Sequence, residues 1–126
     1  MNKPSPPRPT NAELEILRVL WQNGPSTVRS VTESLNKTRE VGYTTVLKLL
    51  QIMTEKRLVL RDESQRSHLY EARMRREQTQ RQLVQDLLAR AFGGASDELV
   101  MQALRAKKVS RDELAEIRKL LDELDT

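Results

Sequence analysis

The chain has 126 residues, 37% hydrophobic and 32% charged, with a net charge of +4 at neutral pH; that leaves room for one ordinary domain or two small ones around a thin core. It contains no cysteine, which excludes disulfides and thiolate metal sites, and no apolar run long enough to span a bilayer; without a signal-peptide hydrophobic region at its N-terminus, a cytoplasmic protein is expected. The charge is uneven: residues 1–73 carry 12 Lys/Arg against 8 Asp/Glu, whereas residues 74–126 carry 10 against 10, the balance of a nucleic-acid-binding half joined to a neutral half.

Residues 1–9 hold four of the five prolines and read as a disordered Pro-rich tail. Thr10-Asn11-Ala12-Glu13 has the spacing of a capping box, in which the hydroxyl and the carboxylate each satisfy one orphan N–H at a helix start. The helix it opens buries Leu14, Leu17, Val19 or Leu20, and Trp21 in this reading, and stops at Asn23-Gly24-Pro25, where Gly permits a left-handed cap and Pro cannot continue. Trp21 fits a core position better than a binding aromatic. Ser26-Thr27 offers a second N-cap, and Val28, Val31 and Leu35 give a short helix to about Lys37.

The next stretch, Gly42 to Arg57, has Val46, Leu49, Leu50 and Met53 at i, i+3, i+4 and i+7, one face of an amphipathic helix. With Tyr43 at its start, Thr44, Thr45, Lys48 and Gln51 lie largely off that face; hydroxyls, a cation and an amide are the groups that reach phosphates and base edges. Alone, this helix reads equally as a DNA-reading helix or as a core helix with a wet face. Its neighbours decide. After Arg57 the period changes: Leu58-Val59-Leu60-Arg61 and Ser67-His68-Leu69-Tyr70-Glu71 are β-prone runs, with Asp62 to Arg66 as the tip between them. Three helices and a hairpin make a winged helix-turn-helix over residues 10–74. Arg61 and Arg66 would bring wing cations to DNA phosphates or the minor groove. Residues Lys37 to Arg76 carry 10 Lys/Arg against 5 Asp/Glu, so the excess charge sits where that reading needs it. His68, the only histidine, is read as a wing-strand residue. No metal site, cofactor or catalytic set is expected, since no acidic cluster has ligand spacing and no residue is nominated as nucleophile.

Residues 75–126 read as helical. Leu83, Val84, Leu87, Leu88, Ala91 and Phe92 form one stripe, ended by Gly93-Gly94. Ser96 is placed as the cap of a helix carrying Leu99, Val100, Ala103 and Leu104. Ser110-Arg111-Asp112-Glu113 is a second capping box, opening a last helix with Leu114, Ile117, Leu120, Leu121 and Leu124. Three short helices hide such stripes poorly by themselves, so a helical dimerisation domain is expected, using Leu83, Leu87, Phe92, Leu99, Leu104, Leu114, Ile117 and Leu121. The fold class is therefore mainly α: a winged helix followed by a C-terminal helical domain.

The chain resembles the penicillinase-repressor (BlaI/MecI/CopY) family. The residues that carry the resemblance are Ala12-Glu13-Leu14-Glu15-Ile16-Leu17 with Leu20-Trp21, Val28-Arg29-Ser30-Val31, Tyr43-Thr44-Thr45-Val46, Leu49-Leu50-Gln51, Leu99-Val100 and Ser110 to Glu123. The resemblance implies a homodimeric, non-enzymatic transcriptional repressor that binds a palindromic operator in double-stranded DNA, often controlling antibiotic-resistance or copper-export genes. By position it places Thr44, Thr45 and Lys48 in the major groove. It also implies release by a membrane-bound sensor metallopeptidase; the Asn-Phe bond cut in β-lactam-responsive members aligns with Gln102-Ala103. Three departures stand out. Arg57 replaces the usual Gly after the recognition helix, Ile52 replaces a frequent Arg, and the Cys-rich tail of the copper-responsive branch is absent. The alternative reading is a protein-interaction module on a winged-helix scaffold, separable from a DNA binder by the salt dependence of duplex binding.

Overall fold

The structure is a computed structural model that describes residues 8–126; the expected Pro-rich tail lies outside the described residues up to position 7. The elements follow in the order α1 (Asn11–Asn23), α2 (Val28–Leu35), α3 (Tyr43–Glu55), β1 (Val59–Asp62), β2 (Leu69–Ala72), α4 (Arg76–Phe92), α5 (Ser96–Ala106) and α6 (Arg111–Leu124). They divide into two compact units, one ending at Leu83 and the other beginning at Val84. The division falls inside α4, so the first two turns of that helix belong to the N-terminal unit.

In that unit the helix boundaries follow local chemistry. Thr10 forms the expected capping box: its hydroxyl accepts from the Glu13 N–H at 3.2 Å, and its own N–H donates to Glu13 Oε1 at 2.8 Å. Gly24 ends α1 at φ 78°, a conformation that costs glycine nothing. Thr27 caps α2 by accepting from the Ser30 N–H. That helix ends at Leu35, two residues short of the expected Lys37. Asn36 intervenes, its side chain donating to the Thr32 and Val41 carbonyls and accepting from the Val41 N–H, a local alternative to continued helix.

The termination of α3 bears on a departure noted in the sequence. The Arg57 N–H donates to the Thr54 carbonyl at 3.1 Å and the Leu58 N–H to the Met53 carbonyl at 2.9 Å. This is the Schellman pattern, and it needs a left-handed residue. Arg57 supplies it at φ 62°, as the single non-glycine residue with positive φ among the described residues. A side chain there costs roughly 1–2 kcal/mol that glycine would not.

The core joins Ile16, Leu17 and Leu20 of α1, Val28, Val31 and Leu35 of α2, Val46, Leu50 and Met53 of α3, and Val59 and Tyr70 of the hairpin. The expected face of α3 is therefore the buried one, with Leu49 at its edge. On α1 the buried face is rotated from the expected one: Ile16 is fully buried, while Leu14, Val19 and Trp21 only pack against the core. Glu13, 1% exposed, turns inward as well. Its carboxylate accepts from the Thr10 N–H and from Lys56 Nζ at 3.1 and 3.0 Å, so the buried charge is paired and hydrogen-bonded, the condition under which burial is tolerated.

The strands β1 and β2 are antiparallel, with Val59 opposite Ala72 and Asp62 opposite Leu69. A backbone bridge adds Ser26 to the β2 side: the Ser26 N–H donates to the Tyr70 carbonyl at 2.9 Å and the Tyr70 N–H to the Ser26 carbonyl at 2.8 Å. Those two bonds tie the α1–α2 connection to the wing. The wing boundaries differ slightly from expectation, because Asp62 closes β1 and His68 precedes β2. At the base, Trp21 Nε1 donates to the Met74 carbonyl at 2.9 Å, and Thr79 on α4 is buried beside Leu17 and Leu58.

In the C-terminal unit, Gly93 and Gly94 both adopt positive φ and end α4, the Gly94 N–H returning to the Leu88 carbonyl. The N-cap of α5 is Ala95, with no side-chain hydrogen bond, and Ser96 is already helical; the expected Ser96 cap does not form. Ser110 and Glu113 do form the capping box of α6, and hydrogen bonding to the Ser110 N–H holds the Glu113 carboxyl below its ordinary pKa. No residue of this unit is buried. Of the residues assigned to dimerisation, Leu87 and Leu121 are exposed, while Phe92, Leu99, Leu104, Leu114 and Ile117 are half-buried; Leu83, also half-buried, belongs to the N-terminal unit.

Candidate nucleic-acid interface

With Val46, Leu50 and Met53 turned inward, the helical period forces Thr44, Thr45, Lys48 and Gln51 outward, and all four are exposed. Tyr43, at the first position of α3, is 52% exposed. Lys48 makes no ion pair among the described residues. The outward face thus presents two hydroxyls, an amide and an uncompensated cation from the first two turns and a half of a rigid helix.

Beside it lies an open groove of about 520 Å³, lined by Thr27, Val28 and Arg29 from the start of α2, Tyr43 and Leu47 from α3, and Arg66, Ser67, His68 and Tyr70 from the wing. The Ser26–Tyr70 bridge creates this groove, because it fixes the start of α2 against β2. Arg29 and Arg66 stand on its two sides, and neither forms an ion pair among the described residues. Two cations flanking a groove next to a polar helix face is the arrangement that positions a phosphate backbone.

Of the two arginines expected on the wing, Arg66 lies on this groove, whereas Arg61 lines a different recess with Arg57 and Arg73. There it contacts Glu63 at 2.7 Å, and the Tyr70 hydroxyl together with Glu63 holds its pKa above the ordinary guanidinium value. Asp62 accepts from the Ser64 N–H at 2.9 Å, an Asx turn that shapes the tip; hydrogen bonds from Ser64 keep its carboxyl below the usual range. The structure adds Thr27, Arg29 and His68 to the residues nominated by sequence. Arg29 was visible as a polar position opposite the Val28–Val31 face, but only the nonlocal bridge brings it to the wing.

The penicillinase repressor family model matches residues 9–123. The chain belongs to that family. Transcriptional regulator BlaI of Mycobacterium tuberculosis is 33% identical over 114 residues, covering 90% of this chain and 82% of the relative. Penicillinase repressor of Staphylococcus aureus is 19% identical over 113 residues, covering 90% of each chain. Among solved structures, the monomeric form of Bacillus licheniformis BlaI, in complex with the blaP half-operator, aligns with a TM-score of 0.51 at 22% identity, over 58% of this chain and 89% of that one. The likeness confirms the winged-helix fold. Among the described residues no helix is long and apolar enough to cross a membrane, and no group of three or more His, Cys, Asp or Glu could hold a metal ion.

Proposed function

We propose that this protein is a homodimeric transcriptional repressor that reads a palindromic operator with the exposed face of α3. The observation that carries the reading is the set Thr44, Thr45, Lys48 and Gln51, all exposed on a helix whose other face is locked in the core, beside a groove flanked by Arg29 and Arg66. Tyr43 presents its exposed ring at the groove edge, and Arg66 serves from the wing. The relatives named BlaI and penicillinase repressor support the same assignment. Two heads on one dimer would meet half-sites about one helical turn (~34–36 Å) or a multiple apart.

The test is Lys48→Ala, measured by operator binding across a salt series. Operator affinity should fall by roughly 1–3 kcal/mol if Lys48 reads a guanine edge. If it touches only phosphate, binding should weaken on all sequences and the salt slope should shrink by about one unit. Unchanged affinity and slope would remove α3 from the interface, and a flat salt response of the parent protein would favour a protein-docking role for the scaffold.

Repression in this reading is lifted by a sensor metallopeptidase that cuts α5. Gln102 and Ala103 are both exposed, in the middle of that helix. Cleavage there would separate Leu99 and Val100 from Leu104 and α6, removing apolar surface on which the dimer depends. Ala103 gives a protease no bulky aromatic, so the partner enzyme should differ in preference from one that cuts Asn-Phe. A proline at position 103 would itself break α5, so the outcome is better read by intact-mass analysis of the protein recovered from induced cells. Fragments ending within residues 99–105 are expected as the operator is vacated; derepression with the chain intact would exclude cleavage.

A further inference from the structure

The recess that holds Arg61 is distinct from the groove beside α3. It has a volume of about 410 Å³ and is lined by Thr54 and Arg57 at the end of α3, Val59, Leu60, Arg61 and Glu63 of the wing, and Arg73 just after β2. Three guanidinium groups and one carboxylate give it a net charge of +2. Glu63 is engaged by Arg61 at 2.7 Å. Among the described residues Arg73 forms no ion pair; its Nη1 donates to the Arg57 carbonyl at 3.5 Å. The Arg57 side chain has no ion pair either among the described residues. Two uncompensated guanidinium groups therefore share one concavity with a third that is only partly neutralised. Like charges so placed repel unless an anion joins them.

A second observation points the same way. Arg57 holds φ 62° in a Schellman turn that glycine would complete without strain. Backbone strain of this kind clusters at positions where the side chain itself is used. Operator DNA is a poor candidate for that use. Arg57 lies nine residues beyond Lys48, about 13 Å along the axis if the helical rise continued, past the end of the helix whose first turns carry the reading face.

We infer that the Arg57–Arg61–Arg73 recess is a binding site for a small oxyanion, phosphate- or carboxylate-bearing. Guanidinium forks match both groups in bidentate geometry, and the exposed side chain of Leu60 offers an apolar contact for the remainder of such a molecule. The site adjoins the DNA groove through the wing: Arg61 of the recess lies opposite Tyr70 in the β1–β2 register, and Tyr70 lines the groove with Arg66 and His68. An anion that draws Arg61 away from Glu63 would thus act on the wing itself.

The experiment uses the full chain, titrated at constant ionic strength with inorganic pyrophosphate in one arm and citrate in the other, chloride being the control. The backbone amide shifts of Arg57, Leu58, Arg61 and Arg73 are followed. Saturable shifts are expected, and the tighter-binding arm identifies the phosphate or the carboxylate class. The variants Arg57→Gly and Arg73→Gln should each weaken the binding at least tenfold. Arg57→Gly keeps the turn, since glycine is at ease at that φ, so a loss of binding is not a loss of fold. In the absence of added anion both variants should bind operator with unchanged affinity and salt slope. Non-saturating shifts, or saturation unaltered by both variants, would overturn the site. A salt slope lowered by about one unit in either variant would also overturn it, by making these arginines DNA-backbone contacts. None of these outcomes depends on whether Lys48 reads the operator.

Discussion

Replacing Tyr70 by alanine is expected to cost the N-terminal unit about 3–5 kcal/mol, the range for truncating a buried aromatic residue. The ring is 2% exposed and belongs to the core cluster. Its backbone makes both hydrogen bonds of the bridge to Ser26, so a cavity at this position lies under the bridge that ties the α1–α2 connection to the wing. At roughly 4–8 °C per kcal/mol for a unit of this size, the melting temperature should fall by well over 10 °C. Tyr70→Phe keeps the ring and deletes only the hydroxyl, and should cost no more than about 1.5 kcal/mol, the net value of one hydrogen bond. Thermal unfolding followed by circular dichroism checks both variants. A loss below about 1 kcal/mol for the alanine variant would mean that the wing is not part of the cooperative core.

The contrast between these two variants also marks how far sequence alone reaches in this chain. Periodicity located α3 and its buried face, because Val46, Leu50 and Met53 carry a strong 3.6-residue signal and nothing nearby competes. Capping chemistry located the starts of α1 and α6, since Thr10 with Glu13 and Ser110 with Glu113 act within four residues of each other. The misses are nonlocal or finely balanced. Ser96 has the right residue type for a cap, but the turn set by Gly93 and Gly94 starts α5 one residue earlier than a Ser96 cap requires, so its hydroxyl is not used. The inward turn of Glu13 depends on Lys56, 43 positions away. The groove depends on the pairing of Ser26 with Tyr70, 44 positions apart in the chain, so Arg29 could not be grouped with Arg66 and His68 from spacing. Arg57 was legible as an anomaly, yet only its φ shows that the chain accepted the strained turn rather than avoiding it.

Removing Val84–Thr126 should leave a folded, monomeric winged helix whose operator affinity is lower by ~10²–10⁴, the avidity gained when a second contact becomes intramolecular. Folding of the remainder follows from where the cut falls. Thr79 is buried beside Leu17 and Leu58, and the Met74 carbonyl accepts from Trp21 Nε1. A cut before α4 would strip those contacts and confuse unfolding with loss of assembly, whereas a cut after Leu83 preserves the whole N-terminal unit. Loss of the dimer follows from the exposed surface of the other unit. Leu87, Val100, Leu120, Leu121 and Leu124 are all exposed, Leu124 by 72%, and no residue from Val84 onward is buried. Each such leucine stands to gain about 1.5–3 kcal/mol on full burial, which a second copy of the same three helices can supply and a lone unit of 43 residues cannot. Sedimentation of the truncated and full-length proteins, alongside operator titrations at one salt concentration, checks both halves of the expectation. A truncated protein that still sediments as a dimer would move the interface into the winged helix. A truncated monomer with undiminished operator affinity would mean that one head carries the binding alone.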